Sequence, residues 1–205
     1  MHPYGTNENR RNIQWVLAVL SILIGEPIAI PFRTEVLSIV DTLGVPQFIF
    51  WPVTGILSPL SLFGIFYIAF DRYVWKCKLI RRLGIVKTPD LQGKWRGHLK
   101  SSYDEFKTEY SIELNISQTW TRISVDLKAS KSSSESQTAS LVLRGNRQPA
   151  LIYTYDNNPK GDAIDTMNKH SGTTVLTLEG DSRLTGEYYT GRGRMNHGTM
   201  ELQRC

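Results

Sequence analysis

Residues 48–70 (FIFWPVTGILSPLSLFGIFYIAF) run for 23 positions without an Asp, Glu, Lys, Arg or His, and no other feature restricts the fold of this chain so strongly. At about 1.5 Å per residue a helix of that length reaches roughly 34 Å, a little more than the ~30 Å hydrocarbon core of a bilayer. The stretch is expected to span, with a modest tilt or a bend at Pro59. Trp51 lies near one end and Tyr67, Tyr73 and Trp75 near the other, where amphipathic rings favour the membrane interface. A buried core helix is the other structure compatible with such a run, and the length argues against it.

A second apolar run, residues 13–24, follows a short polar tail that ends in Arg10 and Arg11. Continued through Gly25, Glu26 and Pro27 to Phe32 it supplies the roughly twenty residues of a span, with Pro27 and Pro31 thinning the helix near its far end. A basic start followed by an apolar run also describes a cleaved signal peptide. Glu26 is the one ionisable residue in either span; an intramembrane carboxylate is a functional candidate, but a place beside two prolines near the interface fits a structural role. Residues 33–44 read as a short, slightly acidic turn. Beyond the second span, residues 71–87 carry Arg72, Lys76, Lys78, Arg81, Arg82 and Lys87 against Asp71 alone. Both flanks of the hairpin are basic and its turn is not, which predicts two spans with both termini in the cytoplasm. The helix is expected to run on to Leu83 and stop at Gly84, with Thr88-Pro89 as the boundary between two domains. Residues 1–88 then hold two transmembrane helices and a basic linker, and residues 89–205 a cytoplasmic domain.

The basic pI of 9.2 invites a nucleic-acid partner, but the distribution of charge removes it. Residues 1–88 hold nine Lys/Arg against five Asp/Glu, whereas residues 89–205 hold fifteen against fourteen. The excess lies beside the membrane segments, not in a phosphate-binding stripe, so no nucleic acid polymer is expected. Cys77 and Cys205 are too few for a disulfide framework, and His2, His98, His170 and His197 are scattered, so neither a metal site nor a cofactor is expected. No HExxH, GxSxG, P-loop or GxGxxG stretch is present and no paired carboxylates face one another, so the chain does not read as an enzyme.

From Asp90 onward the apolar pattern changes to period two, and eight strands can be counted at 91–101, 106–116, 118–129, 136–144, 150–156, 171–179, 183–190 and 194–203. Short connections between them predict an all-β, eight-stranded antiparallel up-and-down barrel preceded by an α-helical transmembrane hairpin, with a β-sandwich as the alternative. Only residues 157–170 are long enough for a lid or irregular loop. Alternation assigns Leu91, Trp95 and Leu99, then Tyr110 through Ile116 in steps of two, to the inner face; the sixth strand is ambiguous between Thr173, Val175, Thr177 and Thr174, Leu176, Leu178.

An up-and-down order gives the two barrel ends opposite compositions. Leu91, Trp95, Ile116, Leu143, Leu184 and Leu202 collect at the linker end as an apolar plug. Polar, aromatic and cationic groups collect at the other end, with Tyr103, Tyr155, Asn157, Tyr188, Thr190, Arg192 and Arg194 as the candidate ligand-binding residues beside a serine-rich turn at 130–136. Arginine forks match phosphate oxygens and tyrosine rings stack on bases, so an anionic ligand bearing aromatic rings fits that mouth. Arg192 and Arg194 could equally solvate their glycine turn, and Tyr155 and Tyr188 could be core aromatics.

Two N-terminal membrane helices ahead of a barrel that opens PDLQGKWRGHLKSSY, carries ISQTWTRISV in its third strand and closes with HSGTTVLTLEGDSRLTGEYYTGRGRMNHG resemble the transmembrane β-barrel effectors of bacterial cyclic-oligonucleotide antiphage signalling (CBASS). The resemblance implies a barrel that binds a cyclic dinucleotide or related cyclic oligonucleotide made by a CD-NTase synthase. It also implies homo-oligomerisation on activation, disruption of the inner membrane and death of the infected cell. A membrane-tethered, lipocalin-like carrier of an apolar small molecule is the alternative; the Gly93-Lys94-Trp95 start is shared with such barrels, but an open apolar cavity is not what the mouth residues describe.

Overall fold

The computed structural model describes residues 1–44, 46, 58–143, 145, 148–163, 167–191 and 194–205. The first ten residues of the 48–70 stretch and Arg192 lie outside them. Among the described residues the chain forms β1 (His2–Thr6), α1 (Arg10–Leu43), α2 (Pro59–Arg72), α3 (Lys78–Arg82) and eight further strands. These are β2 (Gly93–Ser101), β3 (Tyr110–Gln118), β4 (Arg122–Ala129), β5 (Ser132–Val142), β6 (Ala150–Pro159), β7 (His170–Glu179), β8 (Arg183–Thr190) and β9 (His197–Arg204). Contacts separate the chain into one unit of residues 1–8 with 87–205 and another of residues 9–86.

The barrel is closed and nearly all antiparallel, but it has nine strands where eight were expected. The meander β2 to β9 closes by pairing β9 on β2, from Trp95 opposite Arg204 to Ser101 opposite Gly198. The ninth strand is the N-terminal tail. β4 and β5 pair directly only at Asp126 to Lys128 with Ser133 to Glu135. Below that point the two diverge at a bulge in β5 between Ser136 and Thr138. β1 fills the fork, antiparallel to β4 at His2 and Pro3 and parallel to β5 at Tyr4 to Thr6. Its side chains fix it there. The buried Tyr4 hydroxyl donates to the Trp120 carbonyl at 2.8 Å, and the Asn7 amide copies a backbone pair by donating to the Leu143 carbonyl at 2.7 Å and accepting from the Leu143 N–H at 2.8 Å. The Glu8 carboxylate then accepts from the Lys87 N–H and the Thr88 hydroxyl. HPYGT is too short and too interrupted by Pro and Gly for periodicity to reveal a strand, so the sequence shows only a short polar tail there.

The inward parity is as alternation predicts, and the structure decides the sixth of the expected strands: Thr174, Leu176 and Leu178 of β7 face in. At the linker end Trp95 and Leu202 are solvent-free within 1% and the Arg204 guanidinium lies 4.6 Å over the Trp95 ring. The Trp95 indole donates to the Leu91 carbonyl at 3.0 Å. The buried Gln118 side chain accepts from the Leu91 N–H at 2.7 Å and donates to the Pro89 carbonyl at 3.2 Å, so the entering chain is pinned across this end.

In the helical unit, α1 is the one described helix long and apolar enough to cross a bilayer, and it is longer than expected. Residues 33–44 are not a turn: the helix continues through Pro27 and Pro31 to Leu43, where Gly44 at φ 66° donates back to the Asp41 and Val40 carbonyls and ends it. Val36, Leu37, Ile39, Val40 and Leu43 carry a helical apolar spacing that outweighs the charge count used to read a turn. Its apolar side chains at Trp15, Leu23, Ile28 and Ile30 are exposed, as a lipid-facing surface requires. Ile13, Leu17, Ser21, Gly25 and Ala29 form a buried stripe every fourth residue. At Gly25 α1 meets α2, since a β-carbon there would lie 3.0 Å from Leu62 and 3.3 Å from Pro59. The expected single helix to Leu83 is broken. α2 stops at Arg72, one 3-10 turn covers Val74–Lys76, and α3 ends before Gly84 at φ 70°.

Candidate functional site

Opposite the plugged end, the strands enclose a cavity of about 210 Å³ that opens to solvent. The hairpin β4–β5 supplies one wall, with Leu127, Ala129 and Ser130 to Ser132; here the serine-rich segment is a strand from Ser132, not the turn expected over 130–136. The Lys160 ammonium holds the hairpin tip by donating to the Ala129 and Ser130 carbonyls at 3.2 and 2.7 Å. The facing wall comes from β6, β7, β8 and the turn before β9.

Three tyrosines dominate the interior, and two of them are seated by glycines on the neighbouring strand. Tyr155 pairs with Gly172 and Tyr188 with Gly198. A β-carbon on Gly172 would fall on the Tyr155 ring and hydroxyl, and one on Gly198 would lie 2.5 Å from the Tyr188 ring. Each ring therefore lies flat across a strand where only glycine leaves room. The Tyr153 and Tyr155 rings sit 6.3 Å apart. Burial pushes the Tyr153 phenol up to about 12 and raises Tyr155 and Tyr188 as well. All three stay protonated at neutral pH and can donate hydrogen bonds. The signal for Gly172 and Gly198 was present in the sequence as glycines interrupting strand alternation; as packing partners of tyrosines they became visible only with the register.

Of the sequence candidates, Tyr103, Tyr155, Asn157, Tyr188, Thr190 and Arg194 line this one cavity, and Arg192 lies outside the described residues. Asn157 is 5% exposed and Tyr155 7%, whereas Tyr103 is 63% exposed at the rim. Arg194 is not in a strand as expected but in the turn before β9, followed by Met195 at φ 51°. Its guanidinium stands 5.8 Å over the Tyr103 ring. With the Asn196 amide turned to match donors to acceptors, its oxygen accepts from Arg194 Nε at 3.0 Å. Among the described residues no carboxylate pairs with Arg194. Its positive charge acts on Tyr155, Tyr188 and His170, and burial is the main cause that holds the His170 imidazole below its ordinary pKa. Sequence reasoning did not select Tyr153, Thr174, Lys131 or Met167, which also line the space. Met167 is carried in by the 157–170 segment, whose first residues extend β6 to Pro159 instead of forming a loop. Among the described residues no cluster of His, Cys, Asp or Glu could hold a metal ion. The arrangement can stack a planar ring, donate several hydroxyls to it and hold an anion at its edge.

Residues 86–204 match the family described as Cap15, cyclic dinucleotide receptor domain. A protein of Yersinia aleksiciae named CD-NTase-associated protein 15 is 32% identical over 156 residues, covering 73% of this chain and 72% of that protein. A protein of Staphylococcus schleiferi with the same name is 32% identical over 124 residues, covering 60% of this chain and 65% of its own length.

Proposed function

This chain belongs to the Cap15 family, and we infer that its barrel is a receptor, not an enzyme, for a cyclic dinucleotide or related cyclic oligonucleotide bound at the tyrosine-lined mouth. The observation that carries the reading is chemical. One cavity presents stacking rings, protonated phenols and an arginine without a carboxylate partner among the described residues, and a cyclic dinucleotide offers bases to the first and phosphates to the last. In this reading the ligand comes from a CD-NTase synthase during phage infection. The apolar helices anchor the receptor in the bacterial inner membrane with two spans and both termini cytoplasmic. Ligand binding drives homo-oligomerisation, and the clustered helices disrupt the membrane and kill the infected cell. The exposed apolar side chains of α1 support anchoring, and the basic flanks at residues 10–11 and 72–87 support the orientation.

The test is a melt of the detergent-solubilised full chain against a panel of cyclic dinucleotides and fatty acids. The full chain is needed because a fragment starting at Pro89 would lack β1. A ligand that binds only the folded state adds roughly 2.7 kcal/mol at a hundredfold excess over Kd. Stabilisation by fatty acids and by no cyclic nucleotide would reverse the reading in favour of a carrier of apolar molecules.

A further inference from the structure

Resting on the reading above, we propose that a single nucleobase of the ligand enters the barrel, while the phosphodiester ring stays at the rim and the second base remains outside. Two independent observations lead there. The first is size. The cavity measures about 210 Å³, less than the ~300–1,000 Å³ of pockets that enclose most of a drug-sized molecule. It also has no room to deepen. Its lowest lining residues include Tyr153, Thr174 and Met200, and one inward position nearer the plugged end along β6, β7 and β9 stand Leu151, Leu176 and Leu202, each at most 1% exposed. From Asn157 to Tyr153 the wall runs roughly 13 Å along β6, and the strand's tilt to the barrel axis makes the depth smaller still.

The second observation is the order of charge with depth. Among the described residues that line the cavity, Lys131, His170 and Arg194 are the cationic or protonatable nitrogen bases, and all three belong to the mouth: the β4–β5 turn, the first residue of β7 and the turn before β9. Below them the polar groups are neutral. They comprise the Ser101 and Thr174 hydroxyls and phenols that stay protonated, with the Asn157 amide above them, level with His170. Such groups match the donor and acceptor edge of a base. Drawing the phosphates to the same depth would bury two negative charges with no cation beside them, a cost far larger than the stacking that a second base would gain. A ligand with one base down and its phosphates at Arg194 and Lys131 satisfies both constraints.

The experiment is calorimetric titration of the full chain in detergent micelles. The tightest member of an unmodified cyclic dinucleotide panel is compared with derivatives carrying a hexylamine arm on one base or on both. One arm is expected to weaken binding by no more than about threefold, since the modified base can be the outer one, and two arms by more than about a hundredfold. If the two bases differ, the arm is tolerated on only one of them. Equal loss from one arm and from two would overturn the proposal, because both bases would then be enclosed. Unchanged binding with two arms would overturn it in the other direction. If no unmodified cyclic dinucleotide binds, the functional reading falls and takes this inference with it, an outcome distinct from tight binding with the wrong dependence on the arms.

Discussion

The plugged end and the open end of the barrel are made by the same strands, and they differ in where their polar groups find partners. At the plug the buried polar groups draw their partners from within: Gln118 from the backbone of Leu91 and Pro89, the Trp95 indole from Leu91, and the Arg204 guanidinium from the face of Trp95 and the Asp90 carbonyl, with only its Nε unmatched among the groups named here. At the mouth Arg194 has no carboxylate among the described residues, and the phenols of Tyr155 and Tyr188 are raised by burial instead of being drawn into ion pairs. Matching a buried group inside the fold yields stability. Leaving it matched only in part yields a surface that a ligand can complete. The two ends therefore divide the work, and substitutions should divide in the same way.

The strongest attempt to break that division is Trp95→Ala. Removing a solvent-free indole and its support for Arg204 is expected to destabilise the barrel by about 3–5 kcal/mol. Denaturation of the full chain followed through the β-sheet signal checks this, and a loss under about 1 kcal/mol would show that the plug does not carry the stability. The opposite substitution is Arg194→Ala at the mouth. It should leave the melting temperature unchanged and weaken ligand binding by roughly 10- to 100-fold, the worth of one charge-assisted hydrogen bond. A variant that melts early but binds normally would invert the comparison.

How much of this was legible depends on which physical rule each element obeys. Eight strands and their inward faces follow from period-two alternation, which places Trp95, Leu114 and Leu202 from the sequence alone. The mouth residues followed from the same parity once the meander order was assumed. β1 was not legible. Five residues broken by Pro3 and Gly5 gain their place from a fork between β4 and β5 more than a hundred positions away, and no local pattern encodes that. The extension of α1 was misread for a different reason, since a net charge over residues 33–44 was weighed above their 3.6-residue apolar spacing. Arg194 was assigned to a strand because the glycine turn before it gave no sign that it ends three residues later, at His197.

β1 permits a sharper version of the comparison, because it braces β4 and β5 below the part of the same strands that forms the cavity wall. Asn7→Ala deletes both hydrogen bonds to Leu143, and Tyr4→Phe deletes the one to the Trp120 carbonyl. Each should cost about 1 kcal/mol. Hydrogen exchange is the suitable measurement. Amides of residues 2, 4–6 and 139–141 should exchange faster in either variant, while those on the far wall at 172–178 hold their rates. Uniform acceleration around the barrel would mean that the fork is not a separate weak seam.

The smallest effect expected is a pH dependence that belongs to the mouth alone. Burial is the main cause that lowers the pKa of His170, and the positive charge of Arg194 adds to it. As pH falls through the ordinary histidine range near 6.5, the unfolded chain takes up a proton that the folded chain still refuses. The unfolded state then binds more protons, so this residue's contribution to stability is intact above about pH 7 and declines as the pH drops toward the folded pKa. His170→Asn should remove that part of the decline and flatten the melting temperature between about pH 7.5 and 5.5 by a small margin. Identical profiles for the parent and the His170 variant would show that the imidazole is as well solvated as a surface histidine, and that the polar mouth is more open to water than its lining suggests.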